Sequence, residues 1–468
     1  MRNKKIFYAL TFFSVLFLTL ITYLTGIEVI YGDEYSANTH NARNYVKEYN
    51  VLRGKIFDQN GEVLAYSEIE GEEHKRYYPY LNLYSHVIGY CSPIYGKSLI
   101  ESAYDTELLG DALITGFFNL KDTLSGERRK GNDLTLTLDH SLQTRASELL
   151  GSKTGAVVAT NPQTGAILAM VSKPDFNPNQ TALANEWESL STDERSPLLT
   201  RATMGLYPPG SVYKIVTSAA MIEQGLSGFE ADDNGSIEVG GITISNAGGR
   251  AYGHLDRTEA FLHSSNVYYS LAGVELGADI QIEYAEKFLL NKKLDFPLPY
   301  NRSRFETGRF SKEDLALTAI GQGKTLVSPL AINLITCAVA NGGNIPKPYL
   351  VQEVTASNGF VLRSEKPATM AQAILPTTAQ ILKDDMAETV QRGTGTAARI
   401  PGITVCGKTG TAENERTDKT PGATHAVFTA FAPYDDPQIA VTVFLEYGGS
   451  GASAAAPIAR ELIAQYLG

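Results

Sequence analysis

Cysteine is almost missing from this chain: three occur in 468 residues, Cys91, Cys337 and Cys406. So sparse and odd a count gives no disulfide framework. There is no C-x-x-C and no H-E-x-x-H, and the seven histidines are scattered, so no metal is expected. Cys337 sits in the apolar run Leu334 to Val339 and reads as a buried small hydrophobe. Basic charge is also short, with 40 Lys and Arg against 51 Asp and Glu, a net charge of -11 and a pI near 5.3. That excludes the basic face a nucleic-acid binder would show. The cluster Arg128-Arg129-Lys130 lies in a polar stretch and reads as a solvated turn. No internal repeat is found, and low complexity is confined to the turn Gly448 to Gly451. Beyond the N-terminus, no hydrophobic run is long enough to span a bilayer.

The one run that is long enough follows a basic start. Met1 to Lys5 is followed by the uncharged stretch Ile6 to Ile27, whose 22 residues would reach about 33 Å as a helix. A cleaved secretory signal has a shorter apolar region and a small-residue cleavage site, and Tyr23 to Ile27 offers no A-x-A pattern. The expectation is a retained signal anchor over residues 6–27, with residues 1–5 cytoplasmic and everything after about Glu28 exported.

Length suggests about two or three units. Residues 28–150 read as a loosely organised α+β module, with an Asn60-Gly61 turn between the β-prone segments Lys55 to Asp58 and Glu62 to Tyr66. Asp133 to Leu138 alternates with period two as a strand, and Asp139 caps a predicted helix that stops at Gly151. From 151 to 468 the pattern is crisper. Ala156 to Thr160 and Ala166 to Val171 form a buried hairpin, helical patterns cover Ser211 to Gln224 and Ala316 to Asn341 with breaks at Gly321 and Pro329, and strands are expected at Ile403 to Gly407, Ala426 to Phe431 and Ile439 to Tyr447. A final helix covers Pro457 to Leu467. Strands at both ends with helices between imply an α+β fold, an antiparallel sheet packed by helices.

Three short stretches carry candidate chemistry. Ser211-Val212-Tyr213-Lys214 is the only S-x-x-K in the chain, although about one or two would arise by chance at this length. Tyr207 to Gly210 cannot be helical and Val212 onward can, so Ser211 sits at a helix start where unpaired N–H groups favour an oxyanion. Lys214, three residues on, shares its face and can take the serine proton if burial or a neighbouring cation lowers its pKa. An ordinary N-cap with a surface lysine fits those residues equally well. Ser264-Ser265-Asn266 follows a helical stretch and offers a hydroxyl to relay a proton and an amide to hold a substrate, or is simply a turn.

K-T-G occurs twice. Lys153-Thr154-Gly155 reads as a connection into the first strand, whereas Lys408-Thr409-Gly410-Thr411 follows a β-branched run and can present a cation and hydroxyls to a terminal carboxylate along a strand. Gly402 to Thr409 also matches G-x-x-x-x-G-K-[ST]. The intervening strand formers, and the want of a helix afterwards, argue against a phosphate loop.

In this order, the three stretches resemble the class B penicillin-binding proteins, membrane-anchored D,D-transpeptidases of peptidoglycan. Further matches are Arg53 to Asp58 with Asn60-Gly61, Glu101 to Asp105 with Leu109-Gly110, Arg201-Ala202, Pro208-Pro209-Gly210, Gly321-Gln322-Gly323 and Ala456 to Ala459. The resemblance implies a penicillin-binding, serine β-lactamase-like transpeptidase domain over 151–468 behind a non-catalytic pedestal over 28–150. It implies Ser211 as acylated nucleophile, Lys214 as base, Ser264 as proton relay and Asn266 as holder of the donor amide. Lys408, Thr409, Gly410 and Thr411 would form the carboxylate-binding strand, with the N–H groups of Ser211 and Thr411 as oxyanion hole. Stem peptides, β-lactams and a membrane glycan polymerase are the partners it implies, with no cofactor required and the catalytic domain outside the cell membrane. A β-lactam-hydrolysing or β-lactam-sensing protein of the same fold and a non-catalytic wall scaffold are the alternatives. Val427-Phe428 in place of Trp-Phe, and Cys406 in place of Ala, depart from the family pattern.

Overall fold

A computed structural model describes residues 2–36, 51–70, 73–110, 129–413 and 423–468. Arg128 of the basic cluster therefore lies outside the described residues, as do most of residues 28–50. Arg2–Ser36 is one helix, and its segment Lys4–Gly26 is long and apolar enough to cross a membrane. Thr11, Thr19 and Thr22 donate their hydroxyls to the carbonyls of Phe7, Val15 and Leu18, four residues back. Each polar side chain is thereby satisfied within the helix, as a lipid environment demands.

The main core is a five-stranded sheet with every pair antiparallel, in the order Ile167–Lys173, Gly155–Thr160, Ile439–Leu445, His425–Ala432, Cys406–Ala412. Alternation places Ala156, Val158, Val427 and Phe444 on one face, in a core shared with the helix Pro329–Ala340, which is buried along its whole length. Val157, Ala159, Phe428 and Val443 face the other way, against the helices His140–Leu150 and Ala456–Leu467. Covering both faces explains why these strands read as apolar runs. Cys337 is fully buried on that first helix.

Local signals act where expected. Asp139 caps its helix by accepting from Leu142 N at 2.9 Å, and Asp58 Oδ1 closes the Asn60-Gly61 turn by accepting from Asn60 N and Glu62 N, both at 2.8 Å. Two expected elements shift. The helix expected from Ser211 opens as a 3-10 turn, Gly210–Tyr213, with the α-helix beginning at Lys214. The strand expected at Ile403 to Gly407 instead covers Cys406–Ala412, because pairing with His425–Ala432 outweighs the weak strand propensity of its two glycines.

The helix His140–Leu150, on the N-terminal side of the cut expected at 150/151, packs with the C-terminal helix on the five-stranded sheet. Conversely, Val351–Thr355 and Val361–Ser364 complete a six-stranded pedestal sheet by pairing with Asp133–Leu136, which continues through Ile56–Phe57, Val63–Glu70 and Glu73–Tyr77. Side-chain bonds add to the join: Asn179 exchanges two 3.0 Å bonds with the backbone of Tyr78, and Tyr84 OH meets His140 Nδ1 at 2.8 Å.

Inside the pedestal, the two stretches around Arg53 and Glu101 meet as an ion cluster. Glu101, fully buried, accepts from Arg53 Nε at 2.6 Å and Arg76 Nε at 2.7 Å, and Asp105 pairs with Arg53 and Lys97. Burial alone would raise the Glu101 carboxyl, but Arg76 and Arg53 outweigh it and hold it at about 2. A carboxyl depressed on folding stabilises the protein above its unfolded pKa, and that contribution is lost as pH falls through the folded value. Glu101→Ala, leaving the buried Arg76 without a carboxylate and Arg53 with Asp105 alone, is expected to cost about 3–5 kcal/mol at neutral pH. The wild-type advantage over this variant should shrink from about pH 4 downward. Denaturant unfolding of both proteins across that range measures it, and a constant difference would contradict the assignment.

Candidate active site

Ser211 stands where three chain segments are pressed together. Gly210 takes φ +57 so close to the edge strand that a Cβ would lie 2.6 Å from Thr411 O. Gly321, at φ +74, closes the other side: its carbonyl accepts from Gly210 N at 2.9 Å, and a Cβ on it would stand 2.2 Å from Gly210 O. Only glycine allows both the backbone angle and the approach. The serine is thus set beside the strand that carries Lys408 to Thr411.

One turn on, Lys214 is fully buried. Its Nζ lies 3.1 Å from Ser211 Oγ, 2.7 Å from Ser264 O, 2.7 Å from Asn266 Oδ1 and 3.3 Å from Ser264 Oγ. A neutral amine has two N–H donors and one lone pair. The two short contacts go to oxygens that can only accept, a backbone carbonyl and an amide oxygen, so they take the two donors. The lone pair is left for the Ser211 hydroxyl. Burial, and then the Lys408 cation, push Lys214 well below the ordinary lysine range, which favours this neutral form.

Ser264 occupies the junction of the helices Arg257–His263 and Asn266–Lys287 in the left-handed conformation, φ +57. Its Oγ bridges the lysines, 3.3 Å from Lys214 Nζ and 2.8 Å from Lys408 Nζ. Lys408 is itself fully buried, 5.3 Å above the Phe261 ring, and burial pushes it down to about 7. Asn266 turns its amide oxygen to Lys214 and donates Nδ2 to Ser245 O at 2.8 Å, so in the free site both ends of the amide are engaged.

Among the described residues, the strand Cys406–Ala412 pairs with a strand on one side only, the edge position that an extended peptide can join. Gly410 packs against Pro209 and Val212 of the serine turn, Thr409 is nearly buried with its hydroxyl 2.7 Å from Thr394 Oγ1, and Thr411 is exposed. All eight residues singled out in the sequence therefore lie on three adjoining segments: the serine turn and its helix, the Ser264 junction and the strand Cys406–Ala412. Lys153-Thr154-Gly155 is the lead into a central strand, and the stretch matching a phosphate loop runs on as strand to Ala412.

Sequence reasoning passed over Thr394, Phe261 and Glu446. Glu446 Oε1 accepts from Arg201 Nε at 2.7 Å and Tyr207 OH at 2.6 Å, bracing the segment that leads to Ser211. No spacing rule links partners 245 residues apart. Thr394, in the turn Gly393 to Thr396, carried only a turn signal.

Comparison with known proteins is consistent with this geometry. The profile of the penicillin binding protein transpeptidase domain matches residues 155–464, and that of the penicillin binding protein A dimerisation domain matches 53–134. The peptidoglycan D,D-transpeptidase PbpA of Mycolicibacterium smegmatis is 33% identical, with 97% of this chain and 96% of the relative aligned. Among solved structures, the ceftriaxone acyl-enzyme complex of penicillin-binding protein A from M. tuberculosis superposes with a TM-score of 0.86 at 30% identity, over 90% of this chain and all of that one. The D,D-transpeptidase domain of a peptidoglycan glycosyltransferase from Eggerthella lenta gives 0.79 at 36% identity, over 90% and 99%.

For attack by Ser211 with Lys214 as base, the roles proposed below, the two lysines predict a bell-shaped pH dependence. The rate should rise as Lys214 loses its proton and fall as Lys408, at about 7, loses its own. Stopped-flow acylation across pH 4 to 10 measures both limbs. An alkaline limb at about pH 9 or higher, near the ordinary lysine range, would contradict a depressed Lys408.

Proposed function

Because this chain belongs to the penicillin-binding protein transpeptidases, and is a peptidoglycan D,D-transpeptidase and β-lactam target of class B, we propose the following roles for its residues. Ser211 Oγ attacks the carbonyl of the penultimate D-Ala of a stem peptide while Lys214 takes the hydroxyl proton. The oxygen–carbon bond forms, the bond to the terminal D-Ala breaks, and Ser264 passes the proton from Lys214 to the departing amine. An acceptor amine from a second stem peptide then attacks the ester, gives its proton back through Lys214, and releases Ser211. The observation that carries this reading is the Lys214 amine, 3.1 Å from Ser211 with its two other close contacts on acceptor-only oxygens.

The N–H groups of Ser211 and Thr411 receive the oxyanion, and the edge strand receives the donor peptide. Lys408, Thr409 and Thr411 bind its carboxylate, with Gly410 admitting the close approach, and Asn266 turns its amide to the donor once the peptide enters. A β-lactam enters as the donor does and stops at the ester. The helix containing Lys4–Gly26 serves as a single-pass anchor, basic end in the cytoplasm and catalytic unit outside. Its length, apolar surface and self-satisfied threonines support that placement. Crosslinking acts on strands already polymerised, so a membrane glycan polymerase is the proposed partner, with the pedestal spacing the cleft from the anchor.

A fluorescent β-lactam should label the wild-type chain covalently, label Ser211→Ala not at all, and label Lys214→Ala about 10²–10⁴-fold more slowly. Retention of the adduct in Ser211→Ala would overturn the nucleophile. Adduct turnover within minutes would point to a lactamase, and donor peptide with an amine acceptor should yield the crosslinked product.

A further inference from the structure

The turn that presents Ser264 and Asn266 is held from below by a carboxylate outside the three motifs. We propose that Asp233 is the positioning residue of that turn, fixing through Asn246 and Ser265 where Asn266 and Ser264 meet the Lys214 amine. The inference rests on Lys214 being the base.

Asp233 ends the short strand Ala231–Asp233 and is fully buried. Every group around its oxygens is a donor. Gly235 N reaches Oδ1 at 2.8 Å, Asn246 Nδ2 reaches both oxygens at 2.7 Å, and Ser265 Oγ reaches Oδ2 at 2.5 Å. An acceptor-only, ionised carboxylate fits that set; a protonated one or an amide would set donor against donor.

Two branches lead from it to the reacting groups. In the first, the Asn246 amide, locked by Asp233 and by Arg250 O at 2.8 Å, turns its oxygen to Asn266 N at 2.7 Å and Val267 N at 3.3 Å. Asn266 is the residue whose own amide oxygen holds Lys214. In the second, Ser265 Oγ donates to Asp233 while accepting from Tyr268 N at 3.0 Å, which caps the helix Asn266–Lys287. Ser264, next to it, is in a left-handed conformation that a non-glycine residue keeps only where its surroundings hold it there. The S-D-N form of this motif has a carboxylate in the motif itself. Here the middle residue is Ser265, and the carboxylate arrives from 32 residues upstream.

Its charge has a separate effect. Against burial and the Lys408 cation, Asp233 favours the protonated form of Lys214. Lys214 on the serine helix and Lys408 on the edge strand are the basic groups on that side. On the outward side of its own ladder are Asp232 and His254, 2.9 Å apart, and on the neighbouring loop and helix are Arg250, Glu259 and His263.

The test uses the full chain, a fluorescent β-lactam, and labelling rates per folded molecule across pH. Asp233→Asn should label about 10–100-fold more slowly, with the acid limb moved to lower pH because a charge that favoured the Lys214 ammonium is gone. Asn246→Ala cuts the first branch but keeps the carboxylate, so its rate should fall by a similar factor with the acid limb unmoved. Wild-type rate and acid limb in Asp233→Asn, whatever its melting temperature, would overturn the proposal. Should that variant not fold, a wild-type rate in Asn246→Ala overturns it instead. Wild-type labelling by Lys214→Ala would mark a failure of the base assignment rather than of Asp233.

Discussion

A lysine amine sealed from water is the constraint on which the cleft depends. Lys214 is fully buried with a second lysine nearby, and both effects make its proton costly. A buried amine still needs partners for its N–H groups. The carbonyl of Ser264 and the amide oxygen of Asn266 supply them, and because neither can donate, the remaining direction belongs to Ser211. Satisfying the amine and aiming its lone pair at the serine, as the proposed mechanism requires, are therefore one arrangement.

The rest of the fold brings these groups into reach. Ser211 and Lys214 come from one turn and helix, Ser264 and Asn266 from a junction 50 and 52 residues from Lys214, and Lys408 from a strand 144 residues beyond Ser264. That strand must be an edge, since a second neighbour would occupy the backbone groups a peptide needs, and it must pass close to Gly210. The glycines at 210 and 321 permit the approach. Strands that return from beyond residue 350 pair with the N-terminal module, and residues of that module and of the five-stranded sheet pack in one continuous core.

Much of this was legible where short-range chemistry governs. Asp139 as a cap, Asn60-Gly61 as a turn and the period-two alternation of Asp133 to Leu138 are rules of neighbours, and neighbours are what a sequence displays. Ser211 and Lys214 were legible for the same reason, being one helical turn apart. The strand around Lys408 was misplaced because its glycines are poor strand formers, and pairing with His425–Ala432 decides its limits. How the two units adjoin is not a matter of neighbours in sequence, for the helix His140–Leu150 follows one and packs on the sheet of the other. Glu446 with Arg201, and Arg53 with Glu101, were visible as residues but not as pairs.

By itself, then, the sequence determined the apolar N-terminal segment, the hairpins and caps, the order of the three motifs and the family to which they point, since each rests on residue type and local spacing. Tertiary structure alone decided that Lys214 is buried between two acceptors, that Ser264 bridges two lysines in a left-handed turn, and that a carboxylate at 233 lies beneath them. Those depend on segments far apart in the chain meeting within hydrogen-bond distance, and on water being excluded once they meet.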